Sequence, residues 1–177
     1  MTQLTDNYFE LYGMPVNFQL DTSELARRHR ELMSRFHPDK HVQSDGLNKK
    51  QVAQMAALLN ESYTTLKSPI KRAAYLLSLV GLDDKADSET SNDGAFLMQQ
   101  LELREKVEQA SEAEDPFLAL DQARDMAKQI ESELYQEFEK SYVAEQYTEA
   151  RAAWVKLKFF TRLHDQIDRT EQKLDDR

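Results

Sequence analysis

The sequence predicts an all-α fold made of two helical parts. Glycine and proline, which interrupt helices, each occur only four times in 177 residues. Apolar residues recur at the three- and four-residue spacing of an amphipathic helix in six segments. No segment alternates apolar and polar residues convincingly, as a half-buried strand would. The scarcity of turn formers and this periodicity together favour helices over sheets.

Charge and composition divide the chain. Residues 1–80 contain ten Lys and Arg against eight Asp and Glu, whereas residues 81–177 contain thirteen against twenty-four. The net charges are therefore +2 and −11. The stretch GLDDKADSETSN is polar and lacks apolar periodicity, so we expect a domain at 1–80, a linker at 81–92 and a second domain at 93–177. Nucleic acid is not expected as a partner, because the acidic part would repel phosphates.

Start and stop signals define the helices of the first part. A short helix is expected at about 8–12. Asp21 followed by Glu24 is similar to a capping box, so the second helix begins there. This helix must end near Phe36, because Pro38 disfavours helical backbone at the residue before it.

Two more helices complete the first part, and three form the second. A helix is predicted at 47–67, and Pro69 suits the first turn of another at 69–80, which Gly81 closes. The second part is predicted to contain three amphipathic helices, at about 93–111, 116–140 and 146–174. Short loops join these helices, so they should pack as a three-helix bundle.

Several kinds of chemistry and location are not expected. The chain contains no cysteine, which excludes disulfides, thiolate catalysis and cysteine-based metal sites in this chain. The first twenty residues contain no Lys or Arg, so they resemble neither a secretory signal nor a transit peptide. The longest apolar-looking stretch, at 73–82, is about half the roughly 20 residues that span a membrane. We therefore expect a cytoplasmic protein that makes no membrane contact.

The segment RFHPDKH, at 35–41, could be a catalytic pair, a metal site, a helix stop or a docking surface. His37 and Asp39 could act as base and orienter, but neither a nucleophile elbow nor a glycine-rich phosphate loop accompanies them. His37 and His41 are four residues apart, yet Pro38 interrupts the continuous helix that a two-histidine metal site needs. We therefore expect no enzyme and no cofactor. Pro38 also restricts the backbone, which suits rigid display of the loop to a partner.

Ordered motifs surround this loop. The helix before it carries Arg27 and Arg30, the helix after it ends in NESYTTLKSP, and KRAAY follows at 71–75. In this order the motifs resemble the J domain of DnaJ-type co-chaperones, with His29 where that family usually has tyrosine or phenylalanine. The resemblance implies a helical hairpin that docks on a DnaK-type chaperone through its HPD loop and stimulates ATP hydrolysis by that chaperone. The implied chaperone-binding residues are Arg27, Arg30, His37, Pro38, Asp39 and Lys40.

The first helix of the second part carries more apolar residues than a bundle requires. Its core stripe is predicted to consist of Phe96, Leu103, Val107 and Ala110. Leu97, Met98 and Leu101 fall off this stripe, on the side that carries several glutamates. On the last helix, Phe159 lies on a flank of the core stripe. Such residues either pack on a neighbouring helix or on the first domain, or they form a protein-binding surface.

The order of a J domain, an acidic three-helix bundle and the segment FLMQQLELRE resembles the HscB family of co-chaperones in iron–sulfur cluster assembly. This resemblance implies that the bundle binds the scaffold protein IscU and that the chaperone partner is the specialised HscA. The implied scaffold-binding residues are Leu97, Met98, Leu101, Glu102, Glu105 and Phe159. Gln109 stands where some relatives have another carboxylate. The chain would then be a non-enzymatic adaptor; the alternative is a general J-protein that holds unfolded clients.

Overall fold

The computed structural model describes residues 7–36, 46–82 and 93–176. These residues form helices and connecting turns, without a strand among them, which confirms the predicted all-α fold. The helices are α1 (Tyr8–Leu11), α2 (Thr22–Arg35), α3 (Gly46–Lys67), α4 (Pro69–Leu79), α5 (Gly94–Ala110), α6 (Pro116–Val143) and α7 (Tyr147–Asp175). The chain divides into two compact units, Met1–Leu79 (the amino-terminal unit) and Val80–Arg177 (the carboxyl-terminal unit). Most of the predicted linker, at 83–92, lies outside the described residues.

Three aspartates cap three of the helices. Asp21 accepts hydrogen bonds from the first-turn amides of α2, Asp93 does the same for α5, and Asp115 accepts from Leu118 at the start of α6. These side chains satisfy amides that a helix cannot bond internally. Glu24 corrects one expectation, because its carboxylate binds the side chains of Arg27 and Arg28 instead of completing a capping box.

The amino-terminal unit has its own apolar core. The core side chains come from α1 to α4 and from the turn before α2, and the fully or nearly fully buried ones include Phe9, Phe18, Leu25, Leu59, Leu66, Ala73, Leu76 and Leu77. The pairing of α2 with α3 includes a ring stack, because the His29 imidazole lies 4.2 Å from the Tyr63 ring at an interplanar angle of 17°. An imidazole therefore fills a position on the inner face of α2.

Arg72, in the KRAAY segment, is a structural residue. Only 5% of its surface is exposed. Its Nε donates to the Leu66 carbonyl at 2.7 Å and its Nη1 to the Phe18 carbonyl at 2.6 Å. The guanidinium also lies over the Phe18 ring, 5.5 Å from the centroid. One buried cation thus joins the end of α3, the start of α4 and the turn before α2.

Tyr75, in the same segment, anchors α1. Its hydroxyl accepts a hydrogen bond from the Tyr8 amide at 2.8 Å, and the two rings stack with centroids 4.4 Å apart. The Tyr8 hydroxyl in turn donates to Glu61 on α3 at 3.0 Å. Burial, together with this carboxylate, raises the pKa of Tyr8 to about 12. These contacts attach α1 to both α3 and α4.

The carboxyl-terminal unit is the predicted three-helix bundle. Its core is built from one stripe on each helix, and the buried members include Phe96, Leu103, Val107, Leu120, Leu134, Phe138, Leu157, Phe160, Leu163 and Ile167. All four residues predicted as the core stripe of α5 are buried. Arg124 joins α6 to α7, because its guanidinium binds Asp121 at 2.7 Å, Asp168 at 3.3 Å and Glu171 at 2.6 Å.

Candidate protein-binding surfaces

An exposed apolar surface lies on α5. Leu97 is 41% exposed, Met98 58% and Leu101 50%, although the core stripe of the same helix is fully formed. We name these three residues the α5 patch. Large apolar side chains that remain in contact with water although a core is available are candidates for burial by a partner. Methionine suits such a surface because its unbranched side chain adapts to the shape of what it contacts.

Carboxylates adjoin the α5 patch. Glu102 and Glu105, both predicted as scaffold-binding residues, are exposed. Neither carboxylate forms an ion pair or hydrogen bond with any residue that the structure describes. Their charges are therefore available to basic groups on a partner. The surface as a whole combines an apolar centre with negative charge beside it.

Phe159 packs on a neighbouring helix, which is one of the two alternatives stated for it. The sequence placed it on a flank of the α7 core stripe, but its side chain is buried, with 8% of its surface exposed. Phe96 covers one side with an edge-on contact at 6.1 Å, and the Arg104 guanidinium covers another at 5.4 Å from the ring centroid. Helical periodicity on α7 alone could not show this, because both covering groups belong to α5. Phe159 therefore packs against the face of α5 that is turned toward α7, and little of its ring is accessible to a partner.

The cations of α2 differ in what they bind. Arg27 donates to both carboxylate oxygens of Glu24, at 2.7 and 2.8 Å, and to Glu31 at 2.5 Å. The hydrogen bonds that Glu24 accepts from Arg27 and from Arg28 lower the pKa of Glu24 to about 2. Arg28 donates to the carbonyls of Tyr12 and Gly13, so it stabilises the fold.

Of the two predicted chaperone-binding cations that lie within the described residues, Arg30 is the one that remains available. It is exposed, and its guanidinium forms no ion pair or hydrogen bond with a described residue. The charges of Glu24 and Glu31, in contrast, offset that of Arg27. The sequence contains a signal for this difference, because Glu24 and Glu31 lie three and four residues from Arg27, whereas no acidic residue lies three or four residues from Arg30. His37, Pro38, Asp39 and Lys40 lie outside the described residues.

The described ranges contain neither a candidate metal site nor a candidate membrane span. Within 7–36, 46–82 and 93–176, no group of three or more His, Asp or Glu side chains is placed to hold a metal ion. No helix in these ranges is long and apolar enough to cross a membrane. The α5 patch and the exposed part of α2 are thus the surfaces that match the motifs in the sequence.

Comparison with known proteins identifies the family. A family model described as the HSCB C-terminal oligomerisation domain matches residues 92–168. A protein of Aliivibrio fischeri named co-chaperone protein HscB homolog is 40% identical over 169 residues, which cover 95% of this chain and 98% of the relative. The chain belongs to the HscB family. The resemblance found in the sequence is thereby confirmed.

Solved structures of HscB proteins have the same fold. The chaperone HscB from Vibrio cholerae matches with a TM-score of 0.86 at 36% identity, over 95% of this chain and 99% of that one. The human co-chaperone protein HscB matches with a TM-score of 0.86 at 26% identity, over 95% of this chain and 83% of that one. The predicted architecture, a J domain followed by a three-helix bundle, is therefore the HscB architecture.

Proposed function

We propose that this chain is a J-protein co-chaperone of iron–sulfur cluster assembly. Its amino-terminal unit docks on the DnaK-type chaperone HscA and stimulates ATP hydrolysis by HscA. Its carboxyl-terminal unit binds the scaffold protein IscU and delivers it to that chaperone. The chain itself catalyses no reaction, since the ATP site belongs to the chaperone. Membership of the HscB family, in which the matched Aliivibrio fischeri and human proteins are named co-chaperones, supports this proposal.

The α5 patch is the observation that carries the scaffold-binding part of the proposal. Its three side chains are 41–58% exposed on a helix that already buries a complete stripe. Burying such side chains in an interface is favourable because apolar surface leaves water. The exposed carboxylates of Glu102 and Glu105 favour a scaffold surface that combines apolar and basic groups. Phe159 contributes by packing beneath α5.

The chaperone-binding part of the proposal rests on the HPD loop and on Arg30. His37, Pro38, Asp39 and Lys40 form the contact that the J-domain motif predicts. Arg30 adds a positive charge on α2 that no described residue pairs with. A positive surface speeds association with an acidic partner and loses this effect as salt screens it. Arg27 contributes less to this field, because two carboxylates of α2 already bind it.

Substitutions in the α5 patch test scaffold binding. Replacing Leu97, Met98 and Leu101 together by alanine should weaken IscU binding by at least about tenfold, since buried apolar anchors dominate interface energies. The bundle should stay folded, because all three side chains are exposed. The Kd for IscU is measured by calorimetry, and thermal unfolding checks the fold.

The bundle offers a matched control for this experiment. Phe117 and Leu118 on α6 are also exposed, at 43% and 54%, so replacing them by alanine removes comparable apolar surface. IscU binding should not change. If this control weakened binding as much as the α5 variant does, general apolar exposure would explain the binding, and a J-protein that holds unfolded clients would be the better description.

A substitution in the loop tests chaperone docking. His37→Gln should abolish stimulation of the HscA ATPase while leaving the Kd for IscU unchanged. Full stimulation by the His37→Gln chain would contradict the docking assignment.

A further inference from the structure

The two oxygens of one carboxylate perform different tasks at the start of α5. Oδ1 of Asp93 accepts from the amides of Ala95 and Phe96, at 3.1 and 3.2 Å, and so caps the helix. Oδ2 binds the ammonium group of Lys156 on α7 at 2.8 Å. This ammonium group and the backbone amides hold the pKa of Asp93 below its usual range. The cap of α5 is therefore also a tether to α7.

Lys156 is well placed to hold this end of α5. Its side chain is only 19% exposed. Its ammonium group also lies 5.6 Å from the centroid of the Phe96 ring. Phe96 itself packs against Phe159 and Phe160, at 6.1 and 6.2 Å. One lysine thus contacts both the cap of α5 and the first buried residue of that helix.

We propose that Asp93 and Lys156 are positioning residues for partner binding, which hold the first turns of α5 on α7 so that the α5 patch is ordered before a partner arrives. We name the pair the α5–α7 clamp. Leu97 and Met98 directly follow the capped turn, and the Leu97 amide donates to the Asp93 carbonyl at 2.9 Å. Helix ends are the parts of a helix that open most readily. A frayed first turn would have to be ordered during binding, and this ordering reduces affinity.

This inference rests on the proposed function, because it assigns the clamp to the surface that binds IscU. It goes beyond the proposed function because it assigns a positioning role to Asp93 and Lys156. Neither residue needs to contact the scaffold, and the clamp acts through the order of α5.

Asparagine at position 93 separates the two tasks. Asn caps helices about as well as Asp, so Asp93→Asn keeps the cap and removes the ion pair with Lys156. Lys156→Met keeps the unbranched side chain and removes its charge. Each variant should weaken IscU binding by about threefold to fivefold, the range expected of a partly exposed ion pair. The double variant should be no weaker than either single one.

Two further variants serve as controls. Lys156→Arg keeps a cation within reach of Asp93 and should restore most of the affinity. Lys128→Met makes the same chemical change as Lys156→Met at an exposed position of α6 and should leave binding unchanged. Hydrogen exchange of the Leu97 and Met98 amides supplies a readout that is independent of IscU. Exchange should accelerate in both clamp variants while the unfolding midpoint of the bundle changes little.

The outcomes separate the clamp from the proposed function. If the wild-type chain binds IscU and both clamp variants bind it with the same Kd, the clamp proposal is wrong and the proposed function stands. Losses that add fully in the double variant would also overturn the clamp, because the two residues would then act separately. If the wild-type chain did not bind IscU, the proposed function would fail, and unaltered exchange of the Leu97 amide in the clamp variants would additionally disprove the clamp.

Discussion

Arg72 shows how a residue of a recognition motif can stabilise the fold. It lies in the KRAAY segment, which contributed to the resemblance to a J domain. Its guanidinium is buried and donates to the carbonyls of Leu66 and Phe18. A lysine could not reproduce this planar arrangement of donors. At least part of the KRAAY motif is therefore explained by packing within the amino-terminal unit.

Replacing Arg72 by leucine should destabilise the protein. Two buried carbonyls would lose their donors, at an expected cost of about 2–4 kcal/mol. Urea unfolding followed by circular dichroism measures the loss. Lys71→Ala changes the exposed neighbour of Arg72 and should alter stability by less than about 0.5 kcal/mol. Equal stability of the two variants would show that the buried guanidinium is dispensable.

His29 gives the amino-terminal unit a dependence on pH. Its ring stacks on Tyr63, and Nδ1 lies 3.3 Å from the Tyr12 hydroxyl. Because the single hydroxyl hydrogen of Tyr12 is donated to the Leu59 carbonyl at 2.7 Å, Nδ1 is the donor in the contact with Tyr12. Burial, and then the charge of Arg30, lower the pKa of His29. The folded state therefore favours the neutral ring.

Acidification should destabilise the wild-type chain more than a His29→Phe variant. An unfolded histidine takes up its proton at a pH near 6.5, before the folded one does. The contribution of neutral His29 to stability is therefore complete above about pH 6.5 and declines as the pH falls below it. Melting temperatures at pH 7.5 and 5.5 test this for both chains. An equal decrease in both would exclude His29 as the source.

At the scale of elements, α5 carries two surfaces on one helix. Its buried stripe was predictable from the sequence, because Phe96, Leu103, Val107 and Ala110 recur at helical spacing. The sequence also showed that Leu97, Met98 and Leu101 lie off this stripe, which is unusual because a bundle helix needs only one apolar stripe. Periodicity left open whether a neighbouring helix covers them, and the structure leaves the α5 patch exposed.

Helix ends were predictable wherever a local signal marks them. Asp21 and Asp93 cap the two helices that were predicted to begin at these positions, and Pro116 occupies the first turn of α6. Contacts between helices were not predictable. The burial of Phe159 depends on groups of α5, and the partners of Arg124 lie partly on α7. A helical projection contains no information about which residues of another helix lie opposite.

The Arg124 cluster should stabilise the pairing of α6 with α7. Arg124 is 19% exposed and binds three carboxylates, two of which belong to α7. Arg124→Met should reduce the free energy of unfolding by about 1 kcal/mol, because the cluster is only partly buried. Fluorescence of Trp154, the single tryptophan of the chain, follows unfolding of the bundle. Lys128→Met, a control at an exposed site of α6, should leave the midpoint unchanged.

At the scale of the whole molecule, the two units carry opposite net charge and separate surfaces. The amino-terminal part is slightly basic and carries the HPD motif, whereas the carboxyl-terminal part is strongly acidic and carries the α5 patch. An adaptor raises the local concentration of one partner near another only if a single molecule binds both. The proposed delivery of IscU to HscA therefore requires both surfaces on the same chain.

A mixing experiment tests this requirement most directly. The ATPase rate of HscA is measured in the presence of IscU with three additions: the wild-type chain, the chain with alanine at Leu97, Met98 and Leu101, and an equal mixture of that chain with the His37→Gln chain. If one chain must bind both partners, IscU should enhance the stimulation of HscA by the wild-type chain. The mixture should stimulate HscA no more than the chain with alanine at Leu97, Met98 and Leu101 does alone. Recovery of the full wild-type rate by the mixture would contradict the account, because two separate molecules would then suffice.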